Sequence, residues 1–315
     1  MLEGVRHAPR SLLHVRKGGS NLKLNGRRAW LYSAPFLITV VLIVVLPLFY
    51  TVYISFTNMN IYHWFEYDPV GLRNYQKALL AFDSGFLPAL LRTLLWTLVN
   101  MALQVFFAFL IALALNAPGL RLKRVYKTLL IFPWAMPAYV SILLWRMGMF
   151  NTEFGFLNQL LRSVGLAPLN FLSTNGMAFL SCLVVNLWLA LPYMITMMDG
   201  AMQSIDRSLY ESARIDGAGF WTLHGRITAP SIAPILAPAF IMTSFTTFKQ
   251  FDIVYLMTMQ TGSKTGADIH TIITYVYDKA FVTSNYGYSS AVSVIVFLII
   301  VLLYTTLFGR KATDR

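Results

Sequence analysis

Six stretches of this chain run for roughly 20 residues or more with almost no charge, at about 30–56, 91–115, 127–149, 177–199, 229–256 and 287–309. A segment of that length buried in hydrocarbon must satisfy its backbone N–H and C=O groups internally, and a helix does so within one segment. The expectation is an all-α polytopic membrane protein with six transmembrane helices. Composition agrees: 57% of the 315 residues are hydrophobic and 12% are charged, against about 45–50% and about 25% in soluble domains. The first run, "WLYSAPFLITVVLIVVLPLFYTVYISF", follows a long basic tail and exceeds a signal-peptide core, so it is read as a retained first span. The fifth is the least regular, with Pro230, Pro234 and Pro238 each four residues apart at its start.

The loops orient the spans. Arg6, Arg10, Arg16, Lys17, Lys23, Arg27 and Arg28 precede the first. Arg121, Lys123, Arg124 and Lys127 join the second and third, Arg207, Arg214 and Arg226 the fourth and fifth, and Arg310, Lys311 and Arg315 close the chain. Most of the basic residues therefore lie on one side, which the positive-inside rule assigns to the cytoplasm together with both termini. This bias accounts for the net charge of +12 without nucleic-acid binding; the tail also suits anionic lipid headgroups. The expected organisation is a basic cytoplasmic tail at 1–29, a transmembrane domain at 30–309 and a short cytoplasmic tail at 310–315.

Little here suggests catalysis. Cys182 is the lone cysteine, set in an apolar run, and reads as a small buried residue. His7, His14, His63, His224 and His270 are scattered without metal-ligand spacing. "TGSKTG" at 261–266 lacks the glycine before the lysine and the rest of a phosphate-binding loop. The chain is expected to be no enzyme, to bind no metal and to have no ATPase site of its own.

Polar residues inside spans are expensive in lipid and usually face a cavity or another helix. The fourth span holds Asn186, Trp188 and Tyr193, with Asn186, Leu189 and Tyr193 on one face. The fifth holds Thr243, Thr247 and Gln250 at i, i+4 and i+7. Two such faces make either a pocket for a hydroxyl-rich solute or helix–helix contacts. Lys249 and Asp252, three apart near the outer end of the fifth span, suit a snorkelling ion pair.

Between these spans lies "YESARIDGAGFWTLHGRITAPSIAP", residues 210–234. Asp206 is placed to cap a short helix, "RSLYESARI", and Gly217 to end it. A second short helix is expected from about Ala218, with Phe220, Trp221 and Leu223 forming its apolar face. Helix, turn, helix with exposed aromatics reads either as a docking knob or as a surface linker.

Glu211-Ser212-Ala213, Gly217, Ile227 and Pro230 have the spacing of the EAA loop in permeases of binding-protein-dependent ABC importers, and this chain resembles that family. It departs at Ser212 and at Ala229, where the pattern has alanine and leucine. The flanking text, from "VVNLWLALPYMITMMDGAMQSIDRSLYESARIDGAG" to "YVYDKAFVTSNYGYSSAVSVIVFLI", is similar to the MalF-like permeases of carbohydrate importers. The resemblance implies a type I ABC importer permease fold in the plasma (inner) membrane of a prokaryote. It implies that the loop at about 206–230 forms coupling helices on an ATPase, through Glu211, Ser212, Ala213, Asp216, Gly217, Ala218, Ile227 and Pro230. It places a sugar site at Leu189, Ala190 and Tyr193, beside Asn186 and Trp188, and at Thr243, Thr247 and Gln250. Ala190 stands where that family has glycine, Thr243 where it has serine, and Thr247 and Gln250 where it has asparagine. The implied partners are a MalG-like permease, a MalK-like ATPase dimer that binds ATP and magnesium, and an extracytoplasmic sugar-binding protein. The implied cargo is maltose or maltodextrin, with trehalose, glycerol phosphate or another oligosaccharide as the nearer alternative. An ion-coupled secondary transporter using Lys249 and Asp252, or a non-transporting assembly protein, are readings from other classes.

Overall fold

The computed structural model describes residues 26–80, 85–259 and 269–308. The tails at 1–25 and 309–315 and the "TGSKTG" stretch lie outside the described residues. The chain divides into two compact units, residues 1–50 and 51–315.

The first unit is helical from Gly26. Helix α1 (Gly26–Val40) passes through a π-helical turn at Val41–Val45 into α2 (Leu46–Ser55), whose second half belongs to the other unit. Trp30–Ser55 is long and apolar enough to cross a membrane.

The second unit is built around α4 (Phe86–Leu115). Phe86, Ala89, Thr93, Trp96, Asn100, Gln104, Ala108, Ala112 and Leu115 are its buried residues, spaced three or four apart along a single stripe. The stripe serves three clusters. At its start it meets α3 (Arg73–Leu80), α13 (Ile272–Tyr277) and α14 (Tyr286–Phe308) through Ala78, Ile272, Tyr288 and Val292. Trp96 joins Ile142 of α6 (Ala138–Leu144), Cys182 and Val185 of α8 (Asn175–Gln203), and Ile253. Ala108 and Ala112 are fully buried beneath Met194 and Met198 of α8 and Leu236 of α11 (Ala229–Phe248). Small residues let helix backbones approach where lipid provides no hydrophobic drive between them. Gly287, at the start of α14, does the same: a Cβ there would lie 2.2 Å from the carbonyl oxygen of Thr57.

The third expected span is not straight. α5 (Lys123–Ala135) and α6 with its π-helical end at Trp145–Met149 meet at 92°. Met136 is extended, at φ −82° and ψ 144°, as a residue before proline prefers, and Pro137 opens α6. Among the described residues, five helices are long and apolar enough to cross a membrane, and this bent pair makes a sixth if it counts as one span. A candidate span at Phe220–Thr258 contains the expected 229–256 stretch, but it is not one uninterrupted helix. α11 ends at Phe248, and the chain turns at Lys249–Phe251 before the short α12 (Asp252–Val254).

Candidate functional site

α8 leads into the loop that joins it to α11. Asp206 is extended, and its carboxylate accepts the backbone N–H of Ser208 at 2.9 Å, capping α9 (Arg207–Ile215). That hydrogen bond holds the Asp206 carboxyl below the usual carboxylate range. At the other end Gly217 has φ 78°. Its N–H reaches the Arg214 carbonyl at 3.0 Å, and the N–H of Ala218 reaches that of Ala213 at 2.9 Å. This paired closure is the Schellman motif, and its left-handed residue is the one place in the loop where glycine is needed for its conformation. α10 (Phe220–Leu223) follows, beginning two residues later than the expected Ala218, because Gly219 is still extended. A π-helical turn at His224–Thr228 carries it into α11. Pro230 sits in the first turn of α11, where its missing N–H costs nothing.

The knob is tied to the helix it precedes. Thr228 Oγ1 lies 3.0 Å from the Tyr210 hydroxyl and 2.9 Å from His224 Nδ1. Leu223 is buried, and the rings of Phe220 and His224 stand 4.5 Å apart. Ile227 and Ala213 are half-buried, as is Ala218, while Glu211, Ser212, Asp216 and Gly217 are exposed. Beside them Ile215 is 86% exposed and Trp221 75%. Glu211, Ser212, Ala213, Asp216, Gly217 and Ala218 thus share one small helix–turn–helix that presents apolar side chains among charges, while Ile227 lies in the π-helical turn after it and Pro230 in the first turn of α11.

Just before this knob, α8 carries a buried acidic group outside the expected set. Asp199 is buried, and its carboxylate takes Lys127 of α5, Lys123 at 3.8 Å, Asn116 at 2.9 Å and Gln203 at 2.9 Å. Lys123 also donates to Asn116 at 2.9 Å. The cluster ties the end of α4 and the start of α5 to the last turns of α8, adjacent to α9.

The expected solute residues divide. Asn186 is buried and donates to Asn100 at 2.5 Å, joining α8 to α4. Trp188 meets Trp145 edge to face at 6.0 Å, and Tyr193 meets Trp134 at 6.5 Å. The bent α5–α6 pair therefore brings two aromatic rings to α8 that were not anticipated. Leu189 packs against the Trp96 cluster, and Ala190 is half-buried. Thr243 and Thr247 are buried one turn apart on α11. Gln250 is half-buried and lies beyond the end of α11, in the turn at Lys249–Phe251. The same break separates Lys249 from Asp252: both are exposed, and they form no ion pair with each other among the described residues. Between α4 and α11 lies an apolar groove of about 610 Å³, lined by Met101, Val105, Phe109, Ile232, Leu236 and Phe240 among others.

Residues 104–313 match the family described as "Binding-protein-dependent transport system inner membrane component". The chain is similar to the galactooligosaccharides transport system permease protein GanP of Bacillus subtilis (strain 168), at 32% identity over 87% of this chain and 68% of that one. It is similar to the trehalose/maltose transport system permease protein MalF of Thermococcus litoralis, at 31% identity over 93% of this chain and 97% of that one. Among solved structures, a chain of a bacterial ABC transporter involved in the import of the acidic polysaccharide alginate superposes with a TM-score of 0.75. It is 20% identical, over 92% of this chain and 98% of that chain, a likeness of fold.

Proposed function

The chain belongs to the family of binding-protein-dependent transport system inner membrane components, a non-catalytic transport subunit with the all-α fold of an ABC-importer permease, and from that premise we propose that it carries a neutral oligosaccharide of the maltose or maltodextrin type across the membrane by alternating access. The permeases GanP and MalF, similar over most of this chain, bear sugar-transport names. The observation that carries the mechanism is the capped and Schellman-closed knob between α8 and α11. It is tied to α11 through Thr228 and exposes Ile215, Phe220 and Trp221 beside Glu211 and Asp216. Such a surface suits insertion into a groove of a separate ATPase subunit.

In this reading both termini and the knob are cytoplasmic. Glu211, Ser212, Ala213, Asp216, Gly217, Ala218, Ile227 and Pro230 form the coupling element. A MalG-like permease completes the pore, a MalK-like ATPase dimer binds ATP and magnesium, and an extracytoplasmic protein delivers the sugar. Closure of the ATPases shifts the knob, and α11, continuous with it through the π-helical turn, moves against α4 and α8. Solute passes between α8 and α11. Tyr193 and Trp188 offer aromatic faces for a pyranose ring, and Leu189 and Ala190 leave room beside them. Thr243, Thr247 and Gln250 provide hydrogen bonds, Gln250 from the turn beyond α11, while Asn186 holds α8 to α4 at the edge of the path.

The test is uptake of radiolabelled maltose and maltotriose by vesicles holding this chain with its partner permease, ATPase and binding protein. ATP-dependent uptake that vanishes without the ATPase supports the reading. ATP-dependent turnover without maltose uptake redirects the cargo to trehalose, glycerol phosphate or another oligosaccharide. Gradient-driven uptake by the chain alone overturns it in favour of a secondary transporter. Lys249 and Asp252 are exposed and form no ion pair with each other among the described residues, which does not favour that outcome.

A further inference from the structure

Gln104, in the middle of α4, is fully buried, and neither its amide nitrogen nor its carbonyl oxygen finds a hydrogen-bond partner among the described residues. An amide in that state bears the whole desolvation cost of its donor and its acceptor. One turn earlier the same stripe carries Asn100, which is satisfied: it donates to the Trp96 carbonyl at 2.8 Å and accepts from Asn186 at 2.5 Å. The α4–α8 contact thus has its polar tie already, and Gln104 is not needed for it.

The level of Gln104 follows from its neighbours. Asn100 stands opposite Asn186, and Asn116 opposite Asp199, so α4 and α8 run side by side in the same direction. Gln104 then lies near Leu189 and Ala190, about one turn from Tyr193. On α11, Leu236 packs in the cluster of Ala108, and Phe248 in that of Phe86 and Ala89. Thr243 falls between them, within about two turns of Gln104. It is also buried, and its hydroxyl likewise lacks a partner among the described residues. Two unspent polar side chains therefore lie within about two turns of each other along the proposed solute path.

We infer that Gln104 is a solute-contacting residue, a third wall of the path contributed by α4, whose amide donates to one hydroxyl and accepts from another on a neutral sugar. This inference rests on the transport reading above. Its chemistry narrows the cargo. Residues 98–108 of α4, 183–195 of α8 and 236–248 of α11 contain no Lys, Arg, Asp or Glu. That lining suits a polyhydroxylated neutral solute and offers no counter-ion to a phosphate or a uronic acid.

The experiment compares wild-type, Gln104→Leu and the near-isosteric Gln104→Met in the complete reconstituted importer, with radiolabelled maltose and maltotriose. It reads uptake KM and Vmax, ATPase stimulation by loaded binding protein, and the melting temperature of the solubilised complex. Both variants are expected to lose tenfold or more in uptake efficiency. Their melting temperature should be unchanged or raised, because an unsatisfied amide has been removed, and ATPase stimulation should persist. Uptake within twofold of wild-type in either variant overturns the inference and leaves the transport reading intact. Failure of both variants to assemble also overturns it, since it would mean the amide has a structural partner. Absence of ATP-dependent uptake of any neutral sugar by the wild-type complex instead overturns the transport reading, and the inference with it.

Discussion

Lys127 of α5 donates to the carboxylate of Asp199 on α8, and the two side chains differ sharply in exposure: 34% for the lysine and 8% for the aspartate. The carboxylate depends on its partners, while the lysine can reach water. Losing one partner of a buried pair costs about 3–5 kcal/mol. Here Lys123, Asn116 and Gln203 remain to the carboxylate, so Lys127→Ala should cost about 1–3 kcal/mol. Asp199→Asn combined with Lys127→Ala should cost less than the sum of the single changes. Thermal melts of the four proteins in detergent give the coupling energy, and additivity would show the contact to be inert.

Gly217 holds φ 78°, and a Cβ built there meets nothing within 4 Å. The penalty for replacing it is therefore backbone strain alone, about 1 kcal/mol for alanine, with Gly217→Asn milder and Gly217→Val worse. On the proposed function, Gly217→Val and Glu211→Ala should reduce ATP-driven uptake at least tenfold while the protein still inserts and the complex still assembles. Uptake and binding-protein-stimulated ATP hydrolysis measured together check this. Normal coupling in both variants would remove the knob from the mechanism.

Asp206 caps α9 most strongly as a carboxylate accepting the Ser208 N–H. Its folded value is lowered by that bond. The cap therefore stabilises above the ordinary carboxylate range and is lost as pH falls through the lowered value. Asp206→Asn keeps an acceptor that does not titrate. Protection of the α9 amides against hydrogen exchange, corrected for intrinsic rates, should fall in acid for the wild-type chain and stay flat in Asp206→Asn. It should be low throughout in Asp206→Ala.

What could be read in advance follows from how local each cause is. The long helices came from uninterrupted apolar runs, and the cap at Asp206 and the turn at Gly217 from residue types whose roles depend on a few neighbours. The bend at Met136–Pro137 was legible in principle, since proline pushes the preceding residue out of the helical region, but a continuous apolar run hid it. The end of α11 at Phe248 has no such sign: "FTTFKQFD" contains neither proline nor glycine to mark it. Asp199 was missed because its lysines lie more than 70 residues earlier in the chain. Gln104 looked like one polar residue in a greasy span until its neighbours left it unsatisfied.

Ile215 and Trp221 separate folding from docking. Both are largely exposed, at 86% and 75%, so truncating either removes little buried contact within this chain, and the melting temperature of the isolated subunit should hardly move. Exposed apolar side chains beside charges become costly to lose only when a partner covers them, and buried aromatic anchors commonly carry 2 kcal/mol or more of an interface, roughly thirtyfold in Kd. Ile215→Ser and Trp221→Ser are each expected to weaken binding of the purified ATPase subunit to the permease by about tenfold or more. Leu223→Ser should instead lower the melting temperature, because Leu223 is buried under the knob. Surface-immobilised permease titrated with the ATPase subunit measures the first effect and a thermal melt the second. Unchanged ATPase affinity in both surface variants would mean that this exposed pair faces lipid or solvent, and that the ATPase grips another part of the chain.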